Sequence, residues 1–484
     1  MLFNSFEFIF VFLPIVFLVY FYLNKKRLII VSKTWLVFSS LFFYSWWNIA
    51  YLPLILTSLF FNYAVGSALS KDQTRVSRKA VLVLGIVFNA GLLGYFKYSD
   101  FFISNINALF TSNIALLKLA LPLAISFFSF QQIAYLVDAY RKETKEYDFL
   151  NYAFFVTFFP QLIAGPIVHH KEMIPQLAKL RSKVINYKNI SLGIFIFSIG
   201  LFKKVAIADT FAIWATQGFD KADSLTFFEG WITSLSFTFQ LYFDFSGYTD
   251  MAIGAALLFN IVLPMNFNSP YKALDIQDFW RRWHITLSRF LTQYIYIPLG
   301  GSRKGEVRTY FNILIIFLIS GFWHGAGWTF IFWGFLHGIA SVVNRYWKKA
   351  GFKLNKLLAW FITFNFVNVA WVFFRATTWE DALKVLKGML GFNGYSIPQF
   401  FSNSLTFLSD YGIIFSDFFL GNMETMKSIL AIFIAFFISV FMKNSIQLTE
   451  NFRPTFSSSI VIVFILVYSL LQLNKISEFL YFNF

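Results

Sequence analysis

No cysteine occurs in the 484 residues of this chain. Its absence removes disulfides, thiolate metal sites and any thioester intermediate carried on the protein itself. Charge is scarce as well. Asp, Glu, Lys and Arg make up 13% of the sequence, against about 25% in ordinary soluble domains. Histidine is scarcer still, with five residues. There is no Gly-x-Ser-x-Gly elbow, no phosphate-binding loop and no Gly-x-Gly-x-x-Gly run, so the hydrolase and nucleotide-binding signatures are missing.

What fills the space is apolar. Hydrophobic residues make up 58% and aromatic residues 22%, with 69 phenylalanines. A spanning helix needs about 20 apolar residues, and the chain supplies such windows repeatedly. The expected class is therefore an all-α polytopic integral membrane protein in a lipid bilayer. The net charge of +16 does not point to nucleic acid, because the basic residues form no single stripe. They fall in the gaps between apolar runs, as the positive-inside rule requires.

The runs at roughly 6–23, 34–48, 51–69, 80–96 and 112–137 read as the first spans. The first is too long for a signal-peptide core and no small-residue cleavage site follows it, so it is read as a retained span. Basic clusters at 25–27, 71–79 and 141–145 alternate between the spans and place those loops in the cytoplasm. Segment 150–168 is broken by Pro160 and by Gly165-Pro166 between two basic flanks. It is either re-entrant or a kinked helix pair. Spans near 190–215 and 227–258 follow. The stretch 259–309 mixes charge with Trp and Tyr and suits helices at the cytoplasmic surface. The run 310–323 looks too short to cross, so the chain is expected to turn at Gly325-Ala326-Gly327 and return. Further spans lie near 356–375, 428–442 and 457–473, around an external insertion, 376–427, that holds Asp410, Asp417 and Glu424. The start of that insertion, Thr377 to Leu390, reads as an amphipathic helix. One membrane domain, 1–484, accounts for the whole chain.

His324 lies at the expected turn, in Trp323-His324-Gly325-Ala326-Gly327-Trp328. Ionisable groups at bilayer depth are costly and mark sites or relays, and a neutral imidazole can take a hydroxyl proton as a general base. His337, 13 residues on, lies roughly 220° and 20 Å away on one ideal helix. It sits inside Gly334-x-x-x-Gly338, so a packing role is expected. His284 closes Asp278-Phe279-Trp280-Arg281-Arg282-Trp283-His284, either as an interfacial anchor or as a partner of His324. In the second case Arg281 or Arg282 would face an anionic donor. His169 and His170 are expected to be solvated in a loop. No metal site is expected, since carboxylates at ligand spacing are lacking. Asp244 and Asp250, in Tyr242-Phe243-Asp244-Phe245-Ser246-Gly247-Tyr248-Thr249-Asp250, need partners.

These runs, together with Gln161-Leu162-Ile163-Ala164-Gly165-Pro166, resemble the motifs of the membrane-bound O-acyltransferases, and of the bacterial alginate and peptidoglycan O-acetyltransferase branch in particular. The likeness extends from the first span to the last. It implies helices around a central tunnel in the bacterial inner membrane. It also implies transfer of an acetyl group from a cytoplasmic thioester such as acetyl-CoA, with no permanently bound cofactor. The implied acceptor is an extracytoplasmic polysaccharide, an alginate-like glycan or peptidoglycan, reached through a periplasmic acetyltransferase partner. The catalytic histidine of the family falls on His324 and its second motif position on His284. Trp280, Arg281, Arg282, Asp244, Ser246, Tyr248 and Trp323 are the candidates for binding substrate. Two other readings remain open: D-alanyl transfer to teichoic acid, and a transporter or flippase without chemistry. Against the latter, no pair of broken segments recurs in the two halves.

Overall fold

The structure, a computed structural model, describes residues 1–71, 77–144, 148–416, 418, 420–450, 452–473 and 480. Helices run in the order α1 (Glu7–Lys25), α2 (Ile29–Ser45), α3 (Ile49–Ser70), α4 (Arg78–Phe110), α5 (Ile125–Tyr140), α6 (Phe149–Thr157), α7 (His170–Ala178), α8 (Tyr187–Lys221) and α9 (Phe227–Leu258). They continue with α10 (Ile276–Arg282), α11 (Ile285–Leu291), α12 (Glu306–His324), α13 (Trp328–Lys349), α14 (Lys356–Arg375), α15 (Trp379–Met389), α16 (Asn422–Phe441) and α17 (Phe456–Gln472). Seven of them, α1, α3, α4, α8, α12, α14 and α16, are long and apolar enough to cross a membrane, while α2 and α17 are shorter apolar helices. Strand is confined, among the described residues, to a parallel pair of three-residue segments, Ser396–Pro398 and Ile414–Ser416. The chain is thus an all-α polytopic membrane protein.

The residues divide into two compact units. The first holds Met1–Leu201, Tyr248–Asn266 and Phe452–Leu473. Its core is phenylalanine: Phe8 meets Phe43 at 5.7 Å, Phe12 meets Phe159 at 5.2 Å and Phe159 meets Phe259 at 5.8 Å between ring centres. Buried amides cross-link the helices around it, with Asn62 on Asn89 and Gln132 between Ser58 and Tyr152.

The 150–168 segment is a broken helix. α6 stops at Thr157 because the chain turns out of helical geometry at Phe158 ahead of Pro160. The break releases the carbonyl of Phe155, which accepts from Gln131 and Gln161, and the N–H of Phe159, which donates to Ser40. These two backbone groups freed at the break therefore have protein partners, as apolar surroundings require. The expected span 112–137 is corrected. Its helix begins only at Ile125, after Pro122 and a left-handed Ala124. His169 and His170 are corrected too, since both are buried. His169 faces Asp138 at 3.6 Å, and His170 Nδ1 shares a 2.6 Å hydrogen bond with Thr144 Oγ1.

The second unit holds Phe202–Gly247, Phe267–Asn451 and Asn474–Phe484. Its centre is the α12–α13 hairpin. α12 is a full 19-residue helix, because Glu306 to Tyr310 extend the apolar run with a polar first turn, and Thr309 Oγ1 donates to the carbonyl of Gly305. The expectation of a half-crossing run at 310–323 is therefore overturned by residues whose polarity hid them from an apolar count. The return at Gly325–Gly327 is as expected. α12 and α13 meet backbone to backbone: a Cβ on Gly321 would lie 2.3 Å from the carbonyl oxygen of Phe330, and one on Gly334 would lie 2.3 Å from that of Phe317. The expected amphipathic helix is α15, capped by Thr378 on the N–H of Asp381. Lys384 ties it to the carbonyls of Phe219 and Ala222. Asp417 lies outside the described residues.

Gly321→Ala is expected to cost about 3 kcal/mol, since the added methyl meets backbone that cannot swing away. Gly327→Ala, whose Cβ would meet nothing closer than 3.5 Å, should leave stability near wild type. Thermal unfolding of the detergent-solubilised variants separates the two.

Candidate active site

Two short helices and one hairpin assemble the site, all within the second unit. Asp275 caps α10, accepting from the N–H groups of Gln277 and Asp278, and also receives Asn344 and Lys348 of α13. That clamp fixes the α10 motif against the hairpin. The chain then leaves α10 at Trp283 and re-enters helix at α11 through His284, whose φ is +42°. A left-handed histidine is strained by about 1–3 kcal/mol and persists only where its surroundings hold it. Those surroundings are close: His284 is fully buried, with the ring of Phe245 at 4.8 Å and that of Trp323 at 6.1 Å. Burial pushes its imidazole down to about 3, so it is neutral at physiological pH.

His324 ends α12 and is 2% exposed. Its ring lies 6.4 Å from that of His284, centre to centre. Trp323 at 4.9 Å, Trp333 at 5.2 Å and Phe374 at 5.1 Å complete an aromatic box. The pairing of the two histidines, one of the two readings of His284, is thus realised, and the interfacial-anchor reading is excluded by its burial. His337 has the packing role expected of it: it accepts from Trp280 Nε1 at 3.2 Å, and Trp333 stands between it and His324. Separation along one ideal helix did not anticipate this layer, because α13 runs back alongside α12.

The other candidates separate. Trp323 lines the box, and half-buried Trp280 supports it through His337. Arg282 pairs with Asp278 at 2.9 Å and reaches the carbonyl of Asn268, while Arg281 is exposed. Neither makes a contact with a histidine among the described residues. Asp244 belongs to an ion triad: Lys204 Nζ lies 2.7 Å from Asp209 and 2.8 Å from Asp244, with all three side chains 7% exposed or less. The backbone N–H of Leu480 also donates to Asp244. Ser246 is buried two residues further along α9. Tyr248 falls in the first unit, where it stacks on Phe3 at 4.8 Å. Lys204, Phe245 and Phe374 were not anticipated. Only Lys204 carried a signal, as a lysine inside the apolar run 190–215.

One cavity of about 650 Å³ reaches the hairpin turn. Ala326 and Gly327 form part of its wall, with Asp209, Gln240, Thr329, Arg375 and Leu480 around it. Among the described residues no three His, Cys, Asp or Glu side chains converge to hold a metal ion. Two adjacent buried imidazoles walled by aromatic rings, with the cavity wall at Ala326 two residues along the chain from His324, suit acid–base chemistry on a hydroxyl.

Comparison with known proteins agrees with that chemistry. Residues 30–378 match the membrane-bound O-acyltransferase family, to which this chain belongs; it is a multi-pass membrane O-acyltransferase. The chain is 50% identical to a peptidoglycan O-acetyltransferase of Helicobacter pylori, over 100% of this chain and 98% of that one. It is 38% identical to a "Probable alginate O-acetylase" of Pseudomonas aeruginosa over 84% of this chain and 78% of the other. A teichoic acid D-alanyltransferase of Streptococcus thermophilus is 28% identical, over 52% of this chain and 68% of its own length.

Lys204→Met strands two buried carboxylates and is expected to cost about 3–5 kcal/mol. Lys427→Met, which breaks the exposed Lys427–Glu424 pair, should change stability by less than about 1 kcal/mol. Thermal midpoints of the two purified variants test the contrast.

Proposed function

We propose that this enzyme moves an acetyl group from a cytoplasmic thioester, acetyl-CoA or a carrier-bound equivalent, to hydroxyls of an extracytoplasmic polysaccharide of the bacterial cell envelope. Peptidoglycan is the first candidate acceptor and an alginate-like glycan the second, with a periplasmic acetyltransferase partner taking part in delivery. The observation that carries the reading is the pair of buried rings of His284 and His324, with the cavity wall at Ala326 and Gly327 following His324 in the hairpin turn.

His324 accepts the proton of the attacking hydroxyl as its oxygen bonds to the thioester carbonyl carbon. Neutral His284 donates an N–H to the carbonyl oxygen as negative charge develops there. The C–S bond then breaks and the proton passes from His324 to the departing thiolate. Atoms and charge balance without a covalent intermediate on cysteine, which the chain lacks. The aromatic box keeps bulk water from competing as nucleophile. Arg281, exposed beside α11, has the charge to meet donor phosphates, a role that Arg282 shares only in part because Asp278 already holds it.

Acetyl transfer is favoured over D-alanyl transfer by the extent of the likeness, which is whole-chain for the acetyltransferase relative and about half-chain for the D-alanyl one. A transporter needs no paired histidines sealed from solvent.

In cells carrying His324→Ala at wild-type membrane abundance, base-labile acetate on the envelope polysaccharide should fall to the level of a deletion strain. His284→Ala should lower it at least tenfold. The fraction that loses acetate, peptidoglycan or exopolysaccharide, identifies the acceptor. Unchanged acetate in both variants would sink the assignment.

A further inference from the structure

α14 ends at Lys356 and at Arg375, about 30 Å apart, and a cavity lies at each end. The Arg375 cavity belongs to the site above. The other, of about 480 Å³, separates α13 from α14 at their Lys348 and Lys356 ends. Two small side chains, Ala340 on α13 and Ala359 on α14, leave the gap. Trp347 and Phe352 pack at 4.8 Å beside its mouth. Around it the helices present apolar side chains outward: Val343 is 54% exposed, Leu357 75% and Phe361 56%. In a spanning helix such a surface faces acyl chains, so the cleft opens onto lipid.

Its mouth is cationic. Arg345, Lys348, Lys349, Lys353 and Lys356 fall within twelve residues that contain no acid. Asp275 engages Lys348 and Glu306 engages Lys349. Lys353 and Lys356 are exposed and enter no ion pair among the described residues. The positive residues put this end at the cytoplasmic leaflet, whose anionic lipids attract such clusters by about 1 kcal/mol per basic residue. An occupant must therefore be apolar along its body and anionic at its head.

We propose that the α13–α14 cleft binds an anionic glycerophospholipid of the cytoplasmic leaflet, with an acyl chain between Ala340 and Ala359 and its phosphate at Lys353 and Lys356. The site bears on catalysis through the same helices, because the far half of α13 supplies Trp333 and the far end of α14 supplies Phe374 to the box around His324. A lipid that wedges or braces one end of this helix pair biases the packing at the other.

The test is ligand-dependent thermal stability of the full-length, delipidated protein in neutral detergent, which requires no acetyl transfer and so stands apart from the function proposed above. Phosphatidylglycerol should raise the midpoint by about 2–4 °C at saturation, and phosphatidylcholine by less than half of that. Lys353→Glu with Lys356→Glu should abolish the preference for the anionic lipid. Ala340→Trp, which fills the cleft, should abolish the shift with the charges intact. Should Ala340→Trp not fold, Ala359→Leu fills the same gap with a smaller side chain. An equal shift with inorganic phosphate would overturn the lipid assignment in favour of a headgroup-only anion site. Equal shifts with both lipids, or a phosphatidylglycerol shift indifferent to both sets of variants, would overturn it altogether.

Discussion

The second unit depends on one contact, the meeting of the α12 and α13 backbones at Gly321 and Gly334. In lipid, helices gain little from burying apolar area against each other, because acyl chains are as apolar as leucine. Association rests instead on close van der Waals fit, and fit of this kind needs residues without side chains at the crossing. With the two helices locked at Gly321 and Gly334, the turn at Gly325–Gly327 is short. The last side chain of α12, His324, is then driven into the space bounded by Trp333 and Phe374. The position of the catalytic candidate is thus a consequence of helix packing three residues and more away from it.

Ionisable groups are handled in three ways, each suited to its place. Lys204, Asp209 and Asp244 neutralise one another inside the unit, where a lone charge would cost several kcal/mol. His284 and His324 are imidazoles, which when neutral offer both a donor and an acceptor without carrying charge. At the α13 end, by contrast, Lys348 and Lys349 pair with acids half in solvent. The histidine arrangement sets two imidazole rings 6.4 Å apart, and it is on this pair that the proposed chemistry rests.

Backbone groups obey the same economy. The break before Pro160 would leave a carbonyl and an amide without partners, and Gln131, Gln161 and Ser40 supply them. A motif that looks like a signature in sequence, Gln161 through Pro166, is here in part the repair of a helix break. Its glutamine is structural first.

Much was legible in the linear order of residues: the membrane class, the return at Gly325–Gly327, the amphipathic α15, the packing role of His337, and the place of His324 at that turn. These follow from local chemistry, because apolar length, glycine and an ionisable group in an apolar run carry their meaning wherever the chain goes. Other features were not legible. Whether His284 anchors at an interface or joins His324 depends on a left-handed turn between two seven-residue helices, and no local pattern specifies where such a turn points. Lys204 was not singled out, and its partners Asp209 and Asp244 are set by the fold, while the burial of His169 and His170 came from α5 packing over them. In each case the deciding term is desolvation by residues distant in sequence. The chain by itself therefore determined which groups are expensive to bury, while the tertiary structure decided which of them meet: one lysine with two carboxylates, and two histidine rings 6.4 Å apart.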